Sequence, residues 1–213
     1  MARLSEINAR LQALASLLPA QYEAVEDGVR SQSFPVDEMF QLTRQIADVL
    51  DQLCATYKDD QMPASEASVA GRTGQARLDG SDPGSAMFIL SVYVMLLDLY
   101  HKVFALVRSE VFQQASTAAF ALWKLPDVTI GSFAVESTPS LQMSLTIQLA
   151  EEFLSRLRRS TAALDPSNRS PSGNRSIFAG VVDASFLEIK SSEDSLRQEL
   201  AALRDRIEEI LEG

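Results

Sequence analysis

The stretch A86-M-F-I-L-S-V-Y-V-M-L-L-D-L-Y-H-K-V-F-A-L-V107 decides the fold. It is apolar on nearly every face of a helix, so other parts of the protein must wrap it. Asp98, His101 and Lys102 interrupt it. The uninterrupted apolar part is shorter than the ~20 residues a bilayer core demands. This reads as the buried central helix of a helical domain, with no membrane partner, running to about Arg108. A separate short helix is expected near Ser109 to Lys124, carrying Val111, Phe112, Phe120, Leu122 and Trp123.

Working outward, Leu4, Ile7, Leu11, Leu14 and Leu18 recur at three- and four-residue steps and predict an amphipathic helix that Pro19 stops. A second helix begins at Pro35, whose missing N–H is no loss in a first turn, and Asp37 and Glu38 suit its positive end. Phe40, Thr43, Ile46, Val49 or Leu50, Leu53 and Tyr57 form its inner stripe, with Cys54 beside them as a buried, inert thiol. Pro139 opens a fourth segment whose strict four-residue stripe is Leu141, Leu145, Leu149, Phe153 and Leu157. Pro126, Gly131 and the β-branched residues between them make an extended connector.

Residues 58–84 are rich in Gly, Ser, Ala and charge and have almost no large apolar side chains, the composition of a mobile linker. Residues 165–177 form a second polar loop. The chain closes at 186–212 with Ile189, Leu196, Leu200, Leu203, Ile207 and Ile210 in heptad steps, and Glu193 breaks one seam position. Such a stripe serves either a coiled coil between chains or docking within the chain, most naturally on the N-terminal helix. The expected fold is therefore all-α: residues 1–213 as one helical-bundle domain around a buried central helix, with two long polar loops and a C-terminal heptad helix.

Composition narrows the chemistry. The chain has 213 residues, 46% of them hydrophobic, which is enough for a real core. Its formal charge is −10, from 29 Asp+Glu against 19 Lys+Arg. Nucleic-acid surfaces cluster Lys and Arg, and the densest cluster here is Arg156, Arg158 and Arg159, placed to complement a helix C-terminus. No direct nucleic-acid contact is expected. The single cysteine excludes an internal disulfide and a Cys-rich zinc site, and no metal or other cofactor is implied. With no apolar leader in M-A-R-L-S-E-I-N, a nuclear or cytoplasmic location is expected.

Candidate chemistry gathers on the apolar helix. His101 is the only histidine, and Asp98 lies three residues earlier on the same face, so an Asp98–His101 hydrogen bond is geometrically open. The pair serves as an acid–base dyad only with a nucleophile in reach; otherwise it is a polar tie in the core. Tyr93 and Tyr100 are one heptad apart and complete the set of ligand-binding candidates.

Three segments then show a family likeness. I89-L-S-V-Y-V-M-L-L-D-L-Y-H-K-V-F resembles a recurring segment in the C-terminal regions of fungal zinc binuclear-cluster transcription factors, the aflatoxin regulatory protein group above all. L125-P-D-V-T-I-G-S-F-A-V-E-S-T-P-S-L-Q-M is similar to that family's Leu-Pro, Gly-x-Phe, Leu-Gln connector. L196-R-Q-E-L-A-A-L-R-D-R-I is similar to its terminal leucine-rich helix. The resemblance implies a role in regulating secondary-metabolite gene clusters. The family's DNA-binding module needs six cysteines and a basic linker, whereas Cys54 stands alone here.

Three functions follow as expectations. The first is a regulatory or interaction domain without its own DNA contact, engaging a protein partner or a second copy through helices. Leu196, Leu200, Leu203, Ile207 and Ile210 are its association candidates. The second is a helical binder or enzyme of a biosynthetic pathway, taking an apolar small molecule, with Asp98, His101 or a tyrosine assisting proton transfer. The third is a structural subunit of a larger assembly.

Overall fold

The computed structural model describes residues 2–23, 34–59, 83–114, 123, 125–126, 128–134, 138–162 and 177–212. Five helices carry the fold: α1 (Ala2–Glu23), α2 (Val36–Asp59), α3 (Pro83–Gln114), α4 (Pro139–Ala162) and α5 (Ile177–Glu212). The class is all-α. Residues 60–82 of the expected linker, 165–176 of the second polar loop, Phe120, Leu122 and the Leu53, Cys54 and Tyr57 side chains lie outside the described residues, while Lys58 and Asp59 continue α2, Pro83 and Gly84 begin α3 and Ile177 begins α5.

Each helix follows from its sequence, with informative departures. The α1 stripe Leu4, Ile7, Leu11, Leu14 and Leu18 is fully inside. Pro19 does not stop α1, which continues to Glu23. Proline has no N–H to return to the Ala15 carbonyl, so the helix runs on with that bond forfeited. In α2, Pro35 sits just before the helix and its carbonyl accepts the Met39 N–H at 3.3 Å. Thr138 does the same for Gln142 at the head of α4, at 3.1 Å, and leaves Pro139 in the first turn.

The break expected at Arg108 is absent. α3 is one helix of 32 residues through Gln114. α5 is longer than its heptads alone indicate, starting at Ile177 and spanning 36 residues.

The helices close into a ring in the order α1, α2, α4, α5, α3, with α3 packed again on α1. Cross-helix pairs fix their directions. Phe40 meets Phe153 and Asp51 meets Ser160, so α2 and α4 run the same way. Arg158 meets Asp194 and Arg204 meets Glu151, so α4 and α5 run oppositely. Tyr93 meets Glu193 and Arg206 lies over Phe112, so α3 and α5 run together.

This ring explains the apolar helix. Val92, Tyr93, Leu96, Leu97, Leu99, Tyr100, Val103 and Phe104 point inward. An outward stripe remains, comprising Ser91, Val94, Asp98, Lys102, Ala105, Arg108 and Phe112. By length and composition alone, Met87–Phe112 could cross a membrane. Here it takes its place among its siblings, and Tyr100 reaches across the ring to Phe40 and Thr43 of α2.

The α4 stripe is displaced from its sequence reading. Leu141 is exposed, and Leu145, Leu149 and Phe153 only partly buried. The inward face is Met143, Ile147, Ala150, Leu154 and Leu157, together with Gln142 and Thr146. Two polar residues go inside because each finds a partner. Gln142 Nε2 donates to the Leu125 carbonyl at 2.8 Å, and Thr146 Oγ1 to the Gln142 carbonyl at 2.8 Å.

The connector between α3 and α4 plugs one end of the ring. Trp123 and Leu125 are buried there, Trp123 packing on Phe34 and donating its indole N–H to Glu110 at 3.0 Å. Within residues 128–134 the chain is extended, as expected, and pairs as a small antiparallel hairpin of β1 (Thr129–Ile130) and β2 (Phe133–Ala134). Gly131 opens its two-residue turn at φ 63°, a backbone angle that a Cβ makes costly.

Candidate functional site

The seam between α3 and α5 concentrates the polar chemistry. α5 presents the apolar heptad face Ile189, Leu196, Leu200, Leu203 and Ile207, all buried, with Ile210 partly so. These residues dock on α3 and α4 of their own chain rather than on α1. Glu193 occupies the seam position between Ile189 and Leu196 and is itself only 3% exposed. A carboxylate there must find donors or lose its charge.

It finds two. The Tyr93 hydroxyl donates to Glu193 Oε1, and Arg158 Nε lies 3.9 Å from Oε2. Burial still dominates and pushes the Glu193 carboxyl above its ordinary range, with Tyr93 and Arg158 opposing that rise. Burial, then the facing Glu193, drives the Tyr93 phenol far upward, so it remains a neutral donor. Arg158 extends the cluster by donating to Asp194 at 2.8 Å.

Two turns further along α3, His101 repeats the pattern nearer the surface. Its Nδ1 faces Glu199 Oε2 at 3.3 Å, and its Nε2 faces the carbonyl and hydroxyl oxygens of Ser192, each at 3.2 Å. The Asp98–His101 bond that the spacing allows does not form. Asp98 lies on the outward stripe and pairs with Lys102 at 2.6 Å. The histidine's carboxylate partner comes instead from a different helix.

The four candidates on α3 thus separate into three settings. Tyr93 and His101 face α5. Asp98 faces outward. Tyr100 is wholly buried at the centre, where its hydroxyl shares a hydrogen bond of 2.9 Å with Thr43 Oγ1, and burial holds its phenol neutral. No acid–base dyad is assembled from Asp98 and His101. Glu193, Arg158 and Glu199 were not candidates in the sequence reading. The one signal available was the break in the heptads at Glu193.

Of the α4 arginines, Arg159 stands in the last turn as expected, whereas Arg156 and Arg158 reach carboxylates of other helices. Arg156 binds Asp48 at 2.8 Å and Asp51 at 3.1 Å, both on α2. Ser160 donates to Asp51 at 2.5 Å. That hydrogen bond, then the one from Arg156, holds the Asp51 carboxyl below its ordinary range. Among the described residues no three His, Cys, Asp or Glu side chains gather as a metal site.

Residues 1–211 of the sequence match the CcsR C-terminal domain. The chain belongs to the CcsR C-terminal domain family. The chain is also similar to the isoflavipucine cluster transcription factor of Aspergillus terreus. The two are 26% identical over 216 residues, covering 97% of this chain and 51% of that protein. This CcsR-type domain thus spans about half the length of that curated relative. No solved structure matches it.

Proposed function

We propose that this chain is a regulatory domain of a fungal secondary-metabolite cluster transcription factor, acting in the nucleus through contact with protein rather than with nucleic acid. The similarity to a cluster transcription factor, running through 97% of the chain, carries this reading. The electrostatics support the choice of protein over nucleic acid. The chain's formal charge is −10. Arg10, Arg156, Arg158, Arg204 and Lys102 each face a carboxylate in an ion pair of 3.3 Å or less. Cations so engaged are poorly placed to release counterions from a phosphate backbone, which drives nucleic-acid binding.

Replacing the natural coding sequence with one bearing Leu200→Lys, in the fungus that carries it, tests the regulatory role. That change puts a charge among buried leucines. The expected result is loss of the transcripts of the surrounding biosynthetic cluster, with the protein still detected in nuclei. Unchanged transcripts would overturn the reading.

A further inference from the structure

We infer that the outward stripe of α3 is a dimer seam, on which α3 of a second copy of this chain lies antiparallel, about a two-fold axis at the level of Tyr100. The inference rests on the protein-contact reading above and names the surface and the partner.

Apolar exposure singles out this face. Val94 is 39% exposed and Phe112 54%, both on the helix whose Met87–Phe112 stretch is apolar enough for a bilayer. Met87 and Met95 are half-buried beside them, and Ser91 and Ala105 are exposed. The neighbouring helices α1 and α5 flank the stripe and leave it uncovered. Large and small side chains left in water on the most apolar helix are stabilised by being covered. The heptad leucines of α5 do not offer such a face, because they are buried within the chain.

Self-complementarity names the occupant. In a two-fold contact, if one residue meets a second, the second must also meet the first. Turned antiparallel about the level of Tyr100, the stripe obeys that rule along its length. Asp98 stands opposite Lys102 of the second copy, Val94 opposite Ala105, Ser91 opposite Ser109 and Met87 opposite Phe112. Helical spacing keeps the two members of each pair on the same side of the seam. The branched Val94 thereby meets a single methyl, and two hydroxyl side chains meet each other.

Charge agrees with the same arrangement. Asp98 and Lys102 sit at the middle of the stripe, more than half exposed and paired with each other at 2.6 Å, with Arg108 at its rim. Antiparallel apposition sets two aspartates and two lysines in alternating sign, so each carboxylate gains a second ammonium. A parallel pair in register would set like against like. With a formal charge of −10, two copies repel unless they meet on a face without excess negative charge. The outer face of α5 exposes Glu188, Asp194, Asp205, Glu208 and Glu209 against Lys190 and Arg197, and does not qualify.

Sedimentation velocity of the full chain over a dilution series reads the dimer directly. Asp98→Lys, which places four lysines around the axis, is expected to weaken it roughly tenfold or more. Adding Lys102→Asp restores the alternation and the dimer with it. Both positions are more than half exposed, so the urea midpoint of each variant stays near that of the unaltered chain. Oxidation of a mixture of Val94→Cys and Ala105→Cys chains yields the mixed disulfide ahead of either homodimer. A chain that is monomeric throughout, a dimer indifferent to Asp98→Lys, a double variant no better than the single, or Val94→Cys linking preferentially to itself would each overturn the inference. So would flotation of the chain with phosphatidylcholine vesicles that Val94→Glu abolishes, which assigns the face to lipid. Mass in solution is read without transcription, so a monomer whose cluster transcripts still vanish with Leu200→Lys defeats this seam and leaves the regulatory role standing.

Discussion

Asp51 and Glu193 are both carboxylates at helix–helix seams, and their surroundings push them in opposite directions. Asp51, on the outer edge of the α2/α4 seam, has Ser160 and Arg156 as donors and stays in water, so its ionised form is favoured. Glu193, inside the α3/α5 seam, has lost its water and recovered only part of it from Tyr93 and Arg158, so its ionised form is disfavoured. The donors are of the same kinds at both places. Depth decides the sign, because desolvation grows with burial faster than a hydroxyl and a distant guanidinium compensate.

The comparison is broken most severely by removing packing. Leu200→Ala deletes a wholly buried side chain from the α3/α5 seam and costs about 2–5 kcal/mol, read as a drop in the urea midpoint. Next is Tyr93→Phe, which leaves Glu193 with its nearest donor gone and costs about 1–3 kcal/mol. Adding Glu193→Leu to Tyr93→Phe recovers that loss and brings the double variant to wild-type stability or above it. A double variant no better than Tyr93→Phe alone would show that Glu193 is no weak point.

The pH response sharpens the contrast. A carboxylate held above its ordinary range protonates first in the folded chain, so Glu193 costs stability at neutral pH. As pH falls from neutrality toward its ordinary value of 4.5, α5 tightens. Asp51 works the other way, adding stability above its ordinary value of 3.8 and giving it up below. Hydrogen exchange, corrected for intrinsic rates, is expected to show α5 amides better protected at pH 5 than at pH 7, and Glu193→Gln to erase that change. The smallest effect is Ser160→Ala at the α2/α4 seam, about 1 kcal/mol or less because Asp51 is solvated, seen as a slight fall in Tm.

How much of this was legible depended on where each residue's partner lies along the chain. The α1 stripe could be read because every inward residue is apolar. The α4 stripe could not, because Gln142 and Thr146 are polar and still face inward, and only the Leu125 carbonyl and the helix backbone make that tolerable. Pro19 and the polar step at Arg108 look like stops, yet both helices run on. His101 was matched with Asp98 because that carboxylate is three residues away; its actual partner, Glu199, is 98 residues away and invisible to local spacing. Glu193 announced itself as a fault in the heptads, but nothing local names Tyr93, 100 residues earlier.

The sole tryptophan of this sequence is seated where the start of α2 meets the end of α3, against Phe34 and hydrogen-bonded to Glu110. Nature has thus installed one intrinsic fluorophore at the pole of the bundle farthest from the Tyr93–Glu193 pair along α3. Its emission reports on that pole, which the last turns of α5 also reach through Arg206 over Phe112. A dye-free shift therefore registers opening of that end of the bundle, while an event confined to the Tyr93–Glu193 pair leaves it in place.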